Sequence, residues 1–111
     1  MTRQQGSDVL IEESVFNGLQ CEDALNIISS NFKLDKVKFV NIGADAFDSD
    51  FSVGTVTNSS FSNVVNDGFD LSGSNVEAQS IRFINIGDKA ISVGEGSTLD
   101  VSELIVNSST A

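Results

Sequence analysis

The chain has 111 residues, 40% of them apolar, and carries 16 acidic against 6 basic side chains for a net charge of −10. That length suits one domain with a narrow core, and the charge repels phosphate backbones and anionic membranes with no basic stripe to offset it, which argues against nucleic-acid partners. The sequence contains no His, Trp, Tyr or Pro, so histidine-based acid–base catalysis and histidine metal ligation are excluded and only Phe remains as an aromatic platform for a sugar ring.

The stretch 1–7 matches nothing downstream and is expected to be a disordered or appended lead-in. No charged segment followed by an apolar one opens the sequence, as a signal peptide would require. No run of 18 or more apolar residues predicts membrane insertion. The single cysteine, Cys21, has no internal disulfide partner. Its acidic neighbours Glu22 and Asp23 disfavour a thiolate, so it reads as a structural or incidental thiol.

From residue 8 onward the sequence repeats, and repetition decides the architecture. Asn41, Asn63, Asn85 and Asn107 recur every 22 residues, as do Phe39, Phe61 and Phe83, which makes three copies of Phe-x-Asn. Asp23, Asp45 and Asp67 keep the same interval, and so do Ser30, Ser52 and Ser74. Apolar positions agree with them: Ile42, Val64 and Ile86 correspond, as do Leu25, Phe47, Phe69 and Ile91. The repeats divide the domain 8–111 into coils 8–30, 31–52, 53–74, 75–97 and an incomplete 98–111, with one extra residue in the first and fourth. For the last coil two registers compete. Asn107 keeps the spacing of 22, whereas Leu99, Val101, Leu104 and Val106 match the preceding coil at 23.

Within a coil, Phe32-Lys33-Leu34-Asp35, Val37-Lys38-Phe39 and Ile81-Arg82-Phe83 alternate apolar with polar, the period of short half-buried strands. Segments such as Asp67-Gly68-Phe69-Asp70-Leu71-Ser72-Gly73-Ser74 are strand-and-turn sequence and poor helix formers. A leucine-rich repeat has a similar period, and Leu34-x-x-Val37-x-Phe39 matches its opening. That pattern sets its Asn three residues after the last apolar position, whereas Asn41 follows Phe39 by two. Two steps along a strand return to the same face, so Asn41, Asn63 and Asn85 are expected to point into the core at a bend, in a ladder with rungs about 4.8 Å apart. The reading is all-β: a right-handed parallel β-helix of about 4–5 coils.

Glu22-Asp23-Ala24-Leu25-Asn26-Ile27-Ile28, Asp45-Ala46-Phe47-Asp48-Ser49-Asp50-Phe51, Asp67-Gly68-Phe69-Asp70-Leu71-Ser72-Gly73-Ser74 and Gly87-Asp88-Lys89-Ala90-Ile91-Ser92-Val93-Gly94-Glu95 resemble right-handed parallel β-helix modules of large exported bacterial proteins. The repeat is similar to that of the pectate-lyase-like and mannuronan-epimerase-like superfamilies, over about residues 8–107. The resemblance implies the fold and an extracellular or cell-surface setting. It carries over no catalytic residue, since Arg82 is the one arginine inside the repeats and no matching motif frames it. A fold of this kind hosts many functions.

The chemical feature of most interest is acidic. Asp23, Asp45 and Asp67 should stack, with Asp88 near their column, and Asn26, Asp48, Asp70 and Ser92 form a second column three residues on. A carboxylate pair about 4.8 Å apart costs about 0.9 kcal/mol in water and about 3.5 kcal/mol at an effective dielectric of 20. Two arrangements relieve it. Either these side chains cap exposed turns by accepting backbone N–H bonds, or Asp45, Asp48, Asp67 and Asp70, with Asp50 nearby, hold Ca²⁺. Gly94-Glu95-Gly96-Ser97 reads as a turn, with no helix or Lys to make it a phosphate loop. Asn58-Ser59-Ser60 and Asn107-Ser108-Ser109 fit the glycosylation sequon by composition only. Thr55-Val56-Thr57 occurs once, too rarely for an ice-binding array.

Three functions follow. The first is a non-catalytic structural or binding module of a larger surface or secreted protein, associating with itself or with flanking domains through open ends. The second is a polysaccharide-active, lyase- or epimerase-like β-helix or its remnant, with Ca²⁺ at the Asp columns. The third is an excised or engineered repeat scaffold.

Overall fold

The computed structural model describes residues 2–6, 8–18 and 24–107, of which 2–5 as backbone. Among these, twelve strands follow in order: β1 (Thr2–Gln5), β2 (Asp8–Glu12), β3 (Val15–Gly18), β4 (Leu25–Ile28), β5 (Asn31–Asp35), β6 (Lys38–Ile42), β7 (Phe47–Asp50), β8 (Val53–Val64), β9 (Phe69–Ser72), β10 (Asn75–Ile86), β11 (Ile91–Val93) and β12 (Thr98–Asn107). Every pairing among them is parallel. The result is a parallel β-solenoid of about four turns. One sheet runs β1-β4-β7-β9-β11 and the other β2-β5-β8-β10-β12, where β6 also pairs with β8 and β3 with β6.

Pairing registers convert the sequence period into geometry. β8 faces β10 at a step of 22, Val53 against Asn75 and Val64 against Ile86. β10 faces β12 at a step of 23 throughout, Asn75 against Thr98 and Ile84 against Asn107. Because Phe69 still faces Ile91 at 22, the extra residue of that coil lies in the turn at 94–97, where the Ser97 N–H donates to the Gly94 carbonyl. Of the two competing registers the apolar one prevails: Val106 stands opposite Phe83, and Asn107 leaves the Asn column. The lead-in expected over 1–7 contains strand β1, whose residues Thr2–Gln5 pair with Leu25–Ile28.

The chain turns its corners on left-handed backbone. Every described residue with positive φ falls into one of three columns: Gly6, Ser29, Phe51, Gly73 and Gly96; Glu13, Lys36, Asn58, Ser80 and Glu103; and Asn41, Asn63 and Asn85. Such a residue breaks the in–out alternation of a strand, and this overturns one expectation. Asn41, Asn63 and Asn85 do not enter the core; Asn41 is half-buried and the other two are exposed, while the next residues, Ile42, Val64 and Ile86, turn inward and are buried. The amides still meet outside, Asn85 Nδ2 donating to Asn63 Oδ1 at 2.9 Å and Asn63 Nδ2 to Asn41 Oδ1 at 3.2 Å.

Inside, like stacks on like. The rings of Phe16, Phe39, Phe61 and Phe83 lie at centroid spacings of 5.0, 4.7 and 4.8 Å and within 17° of parallel. Each such pair contributes about 0.5–1.5 kcal/mol beyond its area. Phe47 and Phe69 lie beside them with centroids 4.7 Å apart and planes tilted by 40°. Where a ring needs room, a glycine supplies it: a Cβ on Gly54 would come within 2.5 Å of the Phe32 carbonyl and ring.

The serines solve a corner problem. After a left-handed residue the next N–H is turned away from the regular ladder, and a buried N–H without an acceptor costs about 1–3 kcal/mol. Ser30 N–H donates to Ser52 Oγ at 3.0 Å, Ser52 N–H to Ser74 Oγ at 3.1 Å and Ser74 N–H to Ser97 Oγ at 3.1 Å. Each of the buried hydroxyls of Ser30, Ser52 and Ser74 in turn donates to the carbonyl two residues before it. Ser59 repeats the device at the second corner, accepting Val37 N–H at 3.2 Å.

Two substitutions test this account by thermal denaturation. Ser29→Gly removes left-handed strain at an exposed corner and is expected to add about 1 kcal/mol, raising Tm by about 4–8 °C. Ser74→Ala strips the acceptor from the Ser52 amide and is expected to subtract about 1–3 kcal/mol.

Candidate functional site

Asp45 and Asp67 stand just before β7 and β9, where the chain re-enters the sheet, and both are half-buried. Asp45 Oδ1 accepts the Asp67 N–H at 2.9 Å, and Asp67 Oδ1 accepts the Lys89 N–H at 3.1 Å. Each carboxylate thus caps the backbone of the coil above, which is the turn-capping arrangement. Asp70, on β9, brings a third carboxylate: one oxygen from each of Asp45, Asp67 and Asp70 lies within 4.8 Å of the others. Three oxygens so placed form a candidate cation site, in which bonds of about 2.3–2.6 Å would draw them slightly together. Asp48 faces Asp70 in strand register but stands outside that trio. Asp50 accepts a bond from the buried Asn26 amide at 3.0 Å. Asp23 and Cys21 lie outside the described residues.

A second acidic centre is one that no sequence motif singled out. Asp35 Oδ1 accepts the Thr57 hydroxyl at 2.7 Å and the Asn58 amide at 3.1 Å. The Thr57 bond above all, then Asn58 and the nearby charges of Lys36 and Lys33, hold this carboxyl below its ordinary range. Its partners sit one coil up at a step of 22 or 23, and only the pairing of β5 with β8 brings them together. The repeat itself is the signal that would have found it, with Asp35, Thr57 and Gln79 in one column.

The remaining outer surface changes from coil to coil. At one corner the Phe51 ring is 70% exposed on left-handed backbone, and it borders a shallow groove of about 430 Å³ with Gly6, Asp8, Ser29, Ser30, Asn31 and Val53.

The Asp35 cluster has a pH signature. A carboxyl whose folded pKa is lowered contributes stability above its unfolded pKa, and that contribution is lost as pH falls through the folded value. Thr57→Val is expected to move the Asp35 titration, followed by NMR of its side-chain carboxyl, back up toward the ordinary carboxylate value. An unmoved midpoint would assign the effect to the Asn58 amide and the lysines.

Compared with known proteins, the chain matches no family model, no curated protein and no solved structure.

Proposed function

We propose that this chain is a non-catalytic structural module, a rigid β-solenoid segment that serves as a spacer or display surface in a larger surface or secreted protein. The observation that carries the reading is what the repeated side chains do. The recurring Phe rings stack on one another, the recurring Ser hydroxyls accept N–H groups from the coil below, and the recurring Asp and Asn side chains bond to their neighbours in adjacent coils. Repetition here is spent on coil-to-coil cohesion, while the outward positions between corners vary, as in the column Lys33, Thr55, Glu77 and Asp100. A variable exterior on a uniform interior suits a scaffold. Right-handed winding, the rule for parallel crossovers, an extracellular setting and kinship to pectate-lyase-like helices belong to the same proposal. An assay against pectin, alginate and related polyuronates is expected to yield no product; product formation would overturn the reading.

A second reading is favoured by one observation, the approach of Asp45, Asp67 and Asp70. There, Ca²⁺ replaces carboxylate repulsion with coordination and supports a polysaccharide-facing role. Its test is a thermal melt with excess Ca²⁺ and with EDTA. Ca²⁺ at 100 times its dissociation constant adds about 2.7 kcal/mol, a midpoint rise of several degrees that Asp67→Asn should reduce. Coincident melts would leave Asp45 and Asp67 as backbone caps.

A further inference from the structure

We infer that the two ends of this solenoid fit each other, so that a second copy of the chain stacks head to tail, its first coil continuing the parallel sheets of the last. The inference rests on the scaffold reading above and names its partner. At one end, β11 and β12 pair on one side only, with β9 and β10, and no described strand covers their other side. At the opposite end, β1 and β2 pair only with β4 and β5, and β3 only with β6. A strand edge of this kind, ten residues long in β12, is a template for pairing with another chain.

The two edges match strand for strand. Following the columns down the stack, Ile91 leads through Phe69, Phe47 and Leu25 to Thr2, so β1 of a second copy falls over β11. Thr98 leads through Asn75, Val53 and Asn31 to Asp8, so β2 and β3 fall over β12. The corners coincide as well, since Glu103 and Glu13 occupy the same column and both hold left-handed backbone, at φ 55° and 48°. Inward positions then meet as apolar pairs: Leu99 against Val9, Val101 against Ile11, and Val106 against Phe16, whose ring begins the stack that ends at Phe83.

Of the inward apolar side chains at the β12 end, Leu104 and Val106 are left open, 44% and 40% exposed. With extents of 32 × 26 × 26 Å, an end face has an area of about 500–650 Å², so stacking removes about 1,000–1,300 Å² in total, at the lower bound for a specific interface. Acidic groups oppose it: Asp100 and Glu103 on one end face Asp8, Glu12 and Glu13 on the other, within a net charge of −10. The contact is therefore weak at low ionic strength and strengthens as salt screens these charges. Because the contact joins unlike ends it does not close on itself, and it extends into open rows.

Disulfide trapping reads both the partner and the register. Val15 and Ile105 occupy one outward column and are 62% and 48% exposed. Across the proposed contact they stand about 4.8 Å apart, within reach of a disulfide. In a Cys21→Ser background of the full chain, Val15→Cys and Ile105→Cys are prepared separately and their folding is verified by circular dichroism. Mixed under mild oxidation, they are expected to give the 15–105 heterodimer as the main product, increasing with NaCl. Sedimentation velocity of the unsubstituted chain is expected to show concentration-dependent association beyond dimer. Homodimers in the separate Ile105→Cys sample equal to the heterodimer yield, or equal cross-linking with a mid-stack Ser60→Cys control, would overturn the head-to-tail register. A strict monomer at high concentration and high salt would overturn the stacking itself while leaving the scaffold reading standing, since only polysaccharide turnover overturns that one.

Discussion

Left-handed backbone at three corners is the constraint on which everything else depends. A parallel strand can carry its hydrogen bonds to the coil above only if every coil turns at the same place by the same angle. A single αL residue does this within one position, where a longer loop would leave polar backbone to satisfy. Ten of the thirteen residues at these corners are not glycine. Four of these ten are Asn, which adopts this backbone readily; at about 1 kcal/mol for each of the others, the strain is on the order of 6 kcal/mol, comparable with the stability of a small domain. It is sustained because the corners are over-determined from above and below by strands already in register, and by the serine that follows at each of the Ser29, Phe51, Gly73 and Gly96 corners.

Exact stacking has a second consequence: each residue type meets itself. For Phe this is favourable, and the ring columns make a core of a cross-section too narrow for conventional interdigitation. For Ser and Asn it is favourable because a hydroxyl or an amide can donate and accept at once, so a column of either can bond along its length. For Asp it is unfavourable, since a carboxylate only accepts. Asp45 and Asp67 escape by turning to the backbone N–H of the coil above rather than to each other. The same geometry that disperses their charge also draws in Asp70 from the adjacent strand, and it is this crowding that gives the acidic corner its chemical interest.

The scaffold reading and the end-to-end contact are two views of one property. A solenoid uses its interior and both faces of each coil for cohesion, which leaves the lateral surface free to vary and, in the proposed stacking, offers the edges of the first and last described strands to a second copy. In this chain the ends carry apolar residues in the columns of the interior, so the interaction that holds the coils together does not distinguish the next coil of the same chain from the first coil of another. The net negative charge is the counterweight, and it acts over a range that salt can shorten.

What the sequence determined by itself is the period and, through it, the fold class: Phe39, Phe61 and Phe83 at one spacing, with alternating strands between them, require parallel stacking, because only residues recurring at a fixed interval can meet themselves in space. The register of the last coil was legible in its apolar residues alone, which follow the core, and not in Asn107, which lies on the surface where nothing selects its column. The tertiary structure decided the rest. That Asn41 faces outward depends on a positive φ that alternation does not encode, since counting by twos assumes unbroken strand. That Ser52 and Ser74 are buried acceptors, and that Asp35 meets Thr57 and Asn58, depends on partners a full coil away. Such contacts are set by which coil lies above which, a relation that exists only once the chain has wound on itself.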